Sequence, residues 1–132
     1  MKRIRFLSLK DALLLHQDMM SHYSGYSGGI RSKELLQSAI TEPRMSFGGS
    51  YLYETIYDMA AAYFYHVVKN HPFVDGNKRT GLLCALVFLE NNNISIDASF
   101  DALYNLAIDV AKSKKSKEQI ARFFKKYAKP TR

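Results

Sequence analysis

Apolar positions recur at helical spacing along most of this chain. Leu9, Ala12, Leu13, Leu15, His16, Met19 and Met20 trace a helix over residues 8–22, with Ser8 placed to cap it and Asp11 at the third helical position. Residues 24–30 carry three glycines and two serines and predict a loop. Ser32 caps a short helix through Ile40, which Pro43 ends. Residues 43–52 predict a second loop. Residues 54–70 predict a long, mostly buried helix, because Ile56, Met59, Ala60, Ala62, Tyr63, Phe64, Val67 and Val68 wrap most of its circumference. Residues 76–91 predict a core helix, ended by Asn91-Asn92-Asn93, since Asn tolerates left-handed angles. Ile94 to Asp97 is a brief extended link. Residues 98–112 are helical through Leu103, Leu106, Ala107 and Val110. Ser116 caps a last amphipathic helix to about Tyr127, with Ile120, Phe123 and Phe124 inward. The pattern is all-α: one domain over residues 1–132, its core at about 8–127, arranged around a central buried helix. No internal repeat is evident.

Composition supports a packed domain. The chain has 132 residues, enough for one real core, and 47% are apolar, which excludes disorder. The lone Cys84 sits in an apolar run and reads as core filler in a reducing compartment. The longest apolar run, Gly81 to Leu89, is far short of the ~20 residues of a membrane span. A cytoplasmic protein with no membrane partner is expected. Residues 112–132 hold nine Lys/Arg against one acid, Glu118; the total being +7, the rest of the chain sums to −1. A solvated basic helix and tail explain this better than a nucleic-acid surface, because no base-reading motif accompanies the cations.

The chemistry concentrates in His71-Pro72-Phe73-Val74-Asp75-Gly76-Asn77-Lys78-Arg79-Thr80. This is a polar loop delivering the chain into the first turn of the core helix. Pro72 biases His71 away from helical angles, so the preceding helix stops near Asn70. His71 then faces a helix entrance, where imidazole can take a proton from an incoming hydroxyl. Phe73 is a buried anchor that aims it. Asp75 falls at the expected N-cap, or else ligates Mg²⁺ on a nucleotide. Gly76 allows close approach of backbone to a ligand. Asn77, Lys78 and Arg79 occupy the first turn, where unpaired N–H groups and the helix dipole attract phosphate.

This stretch resembles the signature of the Fic/Doc (Fido) family, and more closely its Doc, or death-on-curing, branch: His, any residue, Phe, any residue, an acid, a small residue, then Asn-Lys-Arg-Thr. Leu15-His16, Ser24-Gly25-Tyr26-Ser27-Gly28-Gly29-Ile30-Arg31 and Leu35-Leu36-Gln37-Ser38-Ala39 resemble the segments that precede the site in Doc-like proteins. The likeness covers most of residues 8–92. It implies a Fido-type helical bundle in which residues 43–52 form a flap over the site. It also implies ATP and Mg²⁺ as co-substrate and cofactor. His71 would be the general base and Asp75 would hold Mg²⁺, with Gly76, Asn77, Lys78, Arg79 and Thr80 around the phosphates. The nucleotidylating Fic branch usually has glycine where Lys78 stands and a second arginine where Leu82 stands. The resemblance therefore implies the Doc reaction, transfer of the γ-phosphate to a protein hydroxyl, a threonine of elongation factor Tu being the family's target. AMP transfer and a non-catalytic anion-binding module remain the alternatives.

The family's toxins need a brake. Its inhibitory segment has Ser or Thr followed four residues later by Glu-Gly or Glu-Asn; here Ser50 and Glu54 have the spacing, but Thr55 follows. An antitoxin polypeptide acting in trans is the expected partner. Of the other histidines, His16 is expected to be a hydrogen-bonded core residue, His22 surface and His66 structural. Their spacing suggests no zinc site.

Overall fold

The computed structural model describes residues 3–23 and 28–131. Ser24 to Ser27, part of the predicted loop and of the upstream resemblance, lie outside the described residues. Among those described, the chain forms six α-helices: α1 Leu9–Met20, α2 Lys33–Thr41, α3 Ile56–Asn70, α4 Asn77–Asn91, α5 Phe100–Ala111 and α6 Lys117–Tyr127. A single 3₁₀ turn, Glu42–Arg44, follows α2. The predicted all-α, single-domain class is what the chain adopts. Five helices start on a hydroxyl: Ser8, Ser32, Thr55, Ser99 and Ser116 each accept from the backbone N–H three residues on.

The helix at the centre is α3. Met59 to Phe64, Val67 and Val68 are all buried, and the helix packs against α2, α4 and α6. It runs antiparallel to α4, since Val68 and Phe64 meet Gly81 while Tyr63 meets Phe88. Gly81 permits the close approach: a Cβ there would lie 2.8 Å from Val68 Cγ2 and 3.0 Å from the Phe64 carbonyl oxygen. The core helix expected over 76–91 is buried on one side only. Asn77, Thr80, Gly81, Cys84, Ala85, Phe88 and Leu89 face the interior, while Leu82, Leu83, Leu86 and Val87 are half-buried. Its remaining apolar side forms one wall of a groove opposite α5. Burial pushes the Cys84 thiol up to about 12, consistent with an inert core residue.

Two small antiparallel sheets were not legible as such. The link after α4 is β3 (Ile94–Ile96), which pairs with β4 (Ala128–Pro130) in the register Ile94↔Pro130, Ser95↔Lys129, Ile96↔Ala128 and so ties down the tail. The loop expected as a flap is a hairpin, β1 (Ser46–Phe47) with β2 (Ser50–Tyr51). Gly48 and Gly49 turn it at φ +60° and +86°, where two left-handed residues match strand twist. Tyr51 packs edge-on against Phe6, 5.5 Å away, and Phe6 stacks on Phe88 near the end of α4. None of residues 46–51 lines the cavities that hold His71 and Asp75, so the hairpin does not cover them in this structure.

One polar cluster docks α6. Lys117 Nζ donates to Tyr53 Oη (2.8 Å) and approaches His66 Nε2 (3.1 Å), while Tyr53 Oη donates to Glu42 Oε2 (2.6 Å). An ammonium only donates, so His66 is neutral here with Nε2 as acceptor. Burial, and then the Lys117 cation, hold His66 below its ordinary 6.5, with Glu42 opposing. The unfolded chain gains a proton as pH falls through about 6.5, where the folded chain does not, so stability declines from there downward. His66→Gln should flatten that decline in urea melts taken across the acidic range; a slope as steep as the parent's would contradict the assignment.

Candidate active site

The site begins where α3 stops. Asn70 is its last residue, and His71 follows in the left-handed region at φ 52°, ψ 53°. Pro72 was expected to turn His71 out of the helix, and it does, into left-handed rather than extended backbone. That conformation costs a non-glycine residue roughly 1–2 kcal/mol and persists only if its surroundings hold it. They do so from outside. The carbonyl of His71 accepts from Arg31 Nε (2.8 Å), that of Asn70 from Arg31 Nη2 (3.1 Å), and that of Pro72 from the backbone N–H groups of Arg31 (2.6 Å) and Ser32 (2.9 Å). Val74 N–H donates to Gly29 O (2.9 Å), and Ile30 bridges Phe73.

The loop is also pinned from within. Phe73 is fully buried, as predicted for the anchor, and its ring stacks on His16 at 3.7 Å between centroids and 5° between planes. His16 is a buried core histidine, as expected, but its partner is the loop itself: Nε2 lies 2.9 Å from the Asp75 carbonyl oxygen. Asn77 brackets Phe73, accepting from its N–H through Oδ1 (3.0 Å) and donating to its carbonyl through Nδ2 (2.9 Å).

The start of α4 departs from every other helix in the fold. Asp75 was a candidate N-cap, but Gly76 takes that position at φ +83°, with no side-chain cap. The Asp75 carboxylate is exposed and accepts instead from the Gly76 N–H at 2.9 Å. The other five helices each carry an acid in the first turn, namely Asp11, Glu34, Asp58, Asp101 and Glu118; α4 has none, and Lys78 and Arg79 stand there. Two cations at the positive end of a helix dipole are an unfavourable pairing that an anion would relieve.

Two cavities meet at this start and share Asp75, Gly76, Asn77 and Lys78 as a common wall. One, about 340 Å³, continues past His71, Lys69 and Val74 to Ala111 of α5. The other, about 400 Å³, is an apolar groove between Leu82, Leu83 and Leu86 of α4 and Phe100, Leu103 and Tyr104 of α5. Arg79 lines the groove, its guanidinium 4.1 Å over the Tyr23 ring. The fold thus gathers His71, Asp75, Gly76, Lys78 and Arg79 around one helix entrance. It does not bring Thr80 to that surface: Thr80 is wholly buried, and among the described residues its hydroxyl has no hydrogen-bond partner. The Asn77 amide is committed to Phe73, leaving its backbone N–H as the group it can offer. His66 lies elsewhere, in the cluster around Lys117. Among the described residues no three His, Cys, Asp or Glu side chains could form a metal cage. A single exposed carboxylate does suit Mg²⁺ delivered on a polyphosphate, which needs only one or two.

Three contributors were not identified as such from the chain. Arg31 is remote in sequence from the carbonyls it holds, and His16 carries no mark of its loop partner. Phe100, Leu103 and Tyr104 reach the site only because α5 folds back along α4.

Residues 6–89 match the family model described as the Fic/DOC family. The chain is 35% identical over 88 residues to a protein named Toxin Doc from Mycolicibacterium smegmatis, a match covering 64% of this chain and 68% of that one. It is 28% identical over 123 residues to the Protein kinase doc of Escherichia phage P1, covering 89% of this chain and 91% of the relative.

Removing the Asn77 bracket strands two buried backbone groups of Phe73. Asn77→Ala should cost about 1–3 kcal/mol for each group left unpaired. Urea denaturation measures this, and a loss below about 1 kcal/mol would show that the bracket is dispensable.

Proposed function

The chain belongs to the Fic/DOC family, and on that premise we propose that it is a Doc-type toxin that transfers the γ-phosphate of ATP to a hydroxyl of a target protein. The observation that carries this reading is the start of α4, whose first turn has two cations, no acid and no side-chain cap, with an exposed imidazole on the cavity it opens into. Such an entrance is suited to a polyanion beside a proton acceptor.

In the proposed reaction the phosphates lie against the backbone N–H groups of the first turn of α4, beginning at Asn77, with Gly76 allowing the close approach and Lys78 and Arg79 neutralising their charge. Asp75 would hold the Mg²⁺ that accompanies ATP, and that ion supplies charge neutralisation on the phosphates. The acceptor hydroxyl enters along the His71 cavity. His71 takes its proton as the oxygen bonds to the γ-phosphorus, the bond from that phosphorus to the bridging oxygen breaks, and ADP leaves. The imidazolium then returns its proton to solvent. Phe73, Asn77 and His16 do not touch the reactants; they fix the loop that aims them.

Kinase action is favoured over AMP transfer for two reasons. Lys78 adds a point charge where the nucleotidylating branch has glycine. Leu82 stands where that branch has a second arginine, and it adds apolar surface to the groove wall in place of a guanidinium. The groove also suits the expected antitoxin, because a segment with an apolar face lying between Leu86 and Phe100 would reach the α4 entrance and shut it. The threonine of elongation factor Tu implied by the family resemblance is the first acceptor to test, in a cytoplasmic setting.

ATP labelled at the γ position should label the acceptor, and ATP labelled at the α position should not; the reverse pattern would replace the kinase by an AMP transferase. His71→Ala should lower transfer ~10²–10⁴-fold with nucleotide affinity nearly intact, because a general base contributes little to ground-state binding. Titration calorimetry beside the transfer assay separates the two, and a large loss of ATP affinity would remove His71 from the base role.

A further inference from the structure

The general base of the proposed reaction is not positioned by its own segment alone. Three successive carbonyls, those of Asn70, His71 and Pro72, all accept from Arg31 and Ser32. The donors divide into two sets. Backbone N–H groups of residues 31 and 32 hold Pro72, and would do so whatever side chain stood at 31. The guanidinium alone holds Asn70 and His71, at 3.1 and 2.8 Å. These two carbonyls belong to the end of α3, where a cation also opposes the negative pole of the helix. His71 is the site's non-glycine residue at positive φ. Beyond its own N–H, which donates to Val67 O at 3.2 Å, the Arg31 side chain supplies the hydrogen bond that the left-handed turn presents to a partner.

We propose that Arg31 is a positioning residue for the His71 base: its guanidinium spans the last two carbonyls of α3 and locks the left-handed turn that sets the imidazole into the cavity beside Asp75 and Lys78. The inference rests on the reading of His71 as base. Without the guanidinium, the residue before Pro72 is free to relax toward extended backbone, which pre-proline sterics favour. The imidazole then leaves its aim. The anion-binding groups lie on α4 and in the Asp75–Gly76 turn, held separately by His16 and Asn77, so they stay in place.

The test compares the parent with Arg31→Gln and Arg31→Lys. Both variants keep the backbone clasp on Pro72 and should fold, which circular dichroism melts verify. With γ-labelled ATP, Arg31→Gln should lose on the order of 10²-fold in kcat, the scale of a misplacement of about 1 Å. Its KM for ATP should stay within about twofold of the parent. Arg31→Lys, which keeps the charge and one donor, should recover part of the loss. Unchanged kcat in Arg31→Gln, or a loss confined to KM, overturns the proposal. A second readout needs no activity: ¹⁵N-histidine NMR should give one sharp set of His71 ring signals in the parent and broadened or doubled signals in Arg31→Gln. Identical ring signals overturn the proposal even if the parent transfers nothing, whereas that lack of transfer by itself would count against the kinase reading.

Discussion

The bracketing of one buried phenylalanine holds the site together. Phe73 is drawn into the interior by its ring, and that burial would strand its N–H and carbonyl away from water. Asn77 answers both groups at once, and it can do so only as the first residue of α4. The bracket therefore fixes where the helix begins. It also explains why an amide stands at the helix start instead of a hydroxyl cap: the side chain reaches back to satisfy the loop, not forward to satisfy the helix. The ring of His16 closes the other side of Phe73, so that loop, helix start and α1 form one rigid corner.

That corner leaves the start of α4 electrically incomplete. Elsewhere in this fold helix entrances are finished by serine or threonine and an acid, so local sequence pays its own way. At α4 no side chain of the described residues caps the first turn, and Lys78 and Arg79 add positive charge to an already positive pole. A helix only 15 residues long tolerates this because its other side is buried against α3, with Gly81 letting the two backbones come close. Tertiary packing carries what capping would otherwise supply, and the free N–H groups remain for a ligand.

The same packing decides which chemistry is available. Because α3 occupies the centre, α4 turns its second apolar side outward against α5, and the groove between them opens onto the entrance. His71 faces a separate cavity across a shared wall of four residues. Two chambers that share the wall of residues 75–78 could each take a different reactant. The β1–β2 hairpin adds no residue to either chamber.

Much of this protein was legible in the chain. Helical spacing and hydroxyl caps set the helices to within about two residues at most ends, because those signals are local. The polar loop and cationic helix start of the His71–Thr80 stretch were legible for the same reason, since these residues lie within one loop and one turn. What the chain could not disclose depends on distance in sequence. Arg31 reaches His71 across 40 residues, and His16 reaches Asp75 across 59. The Asn77 amide and the Thr80 hydroxyl read as ligands from their neighbours, yet the fold spends one on Phe73 and buries the other. Sequence determined which groups were present and which helices would carry them; only packing decided which polar atoms remained unclaimed, because a buried group must find its partner inside the protein before a ligand can have it.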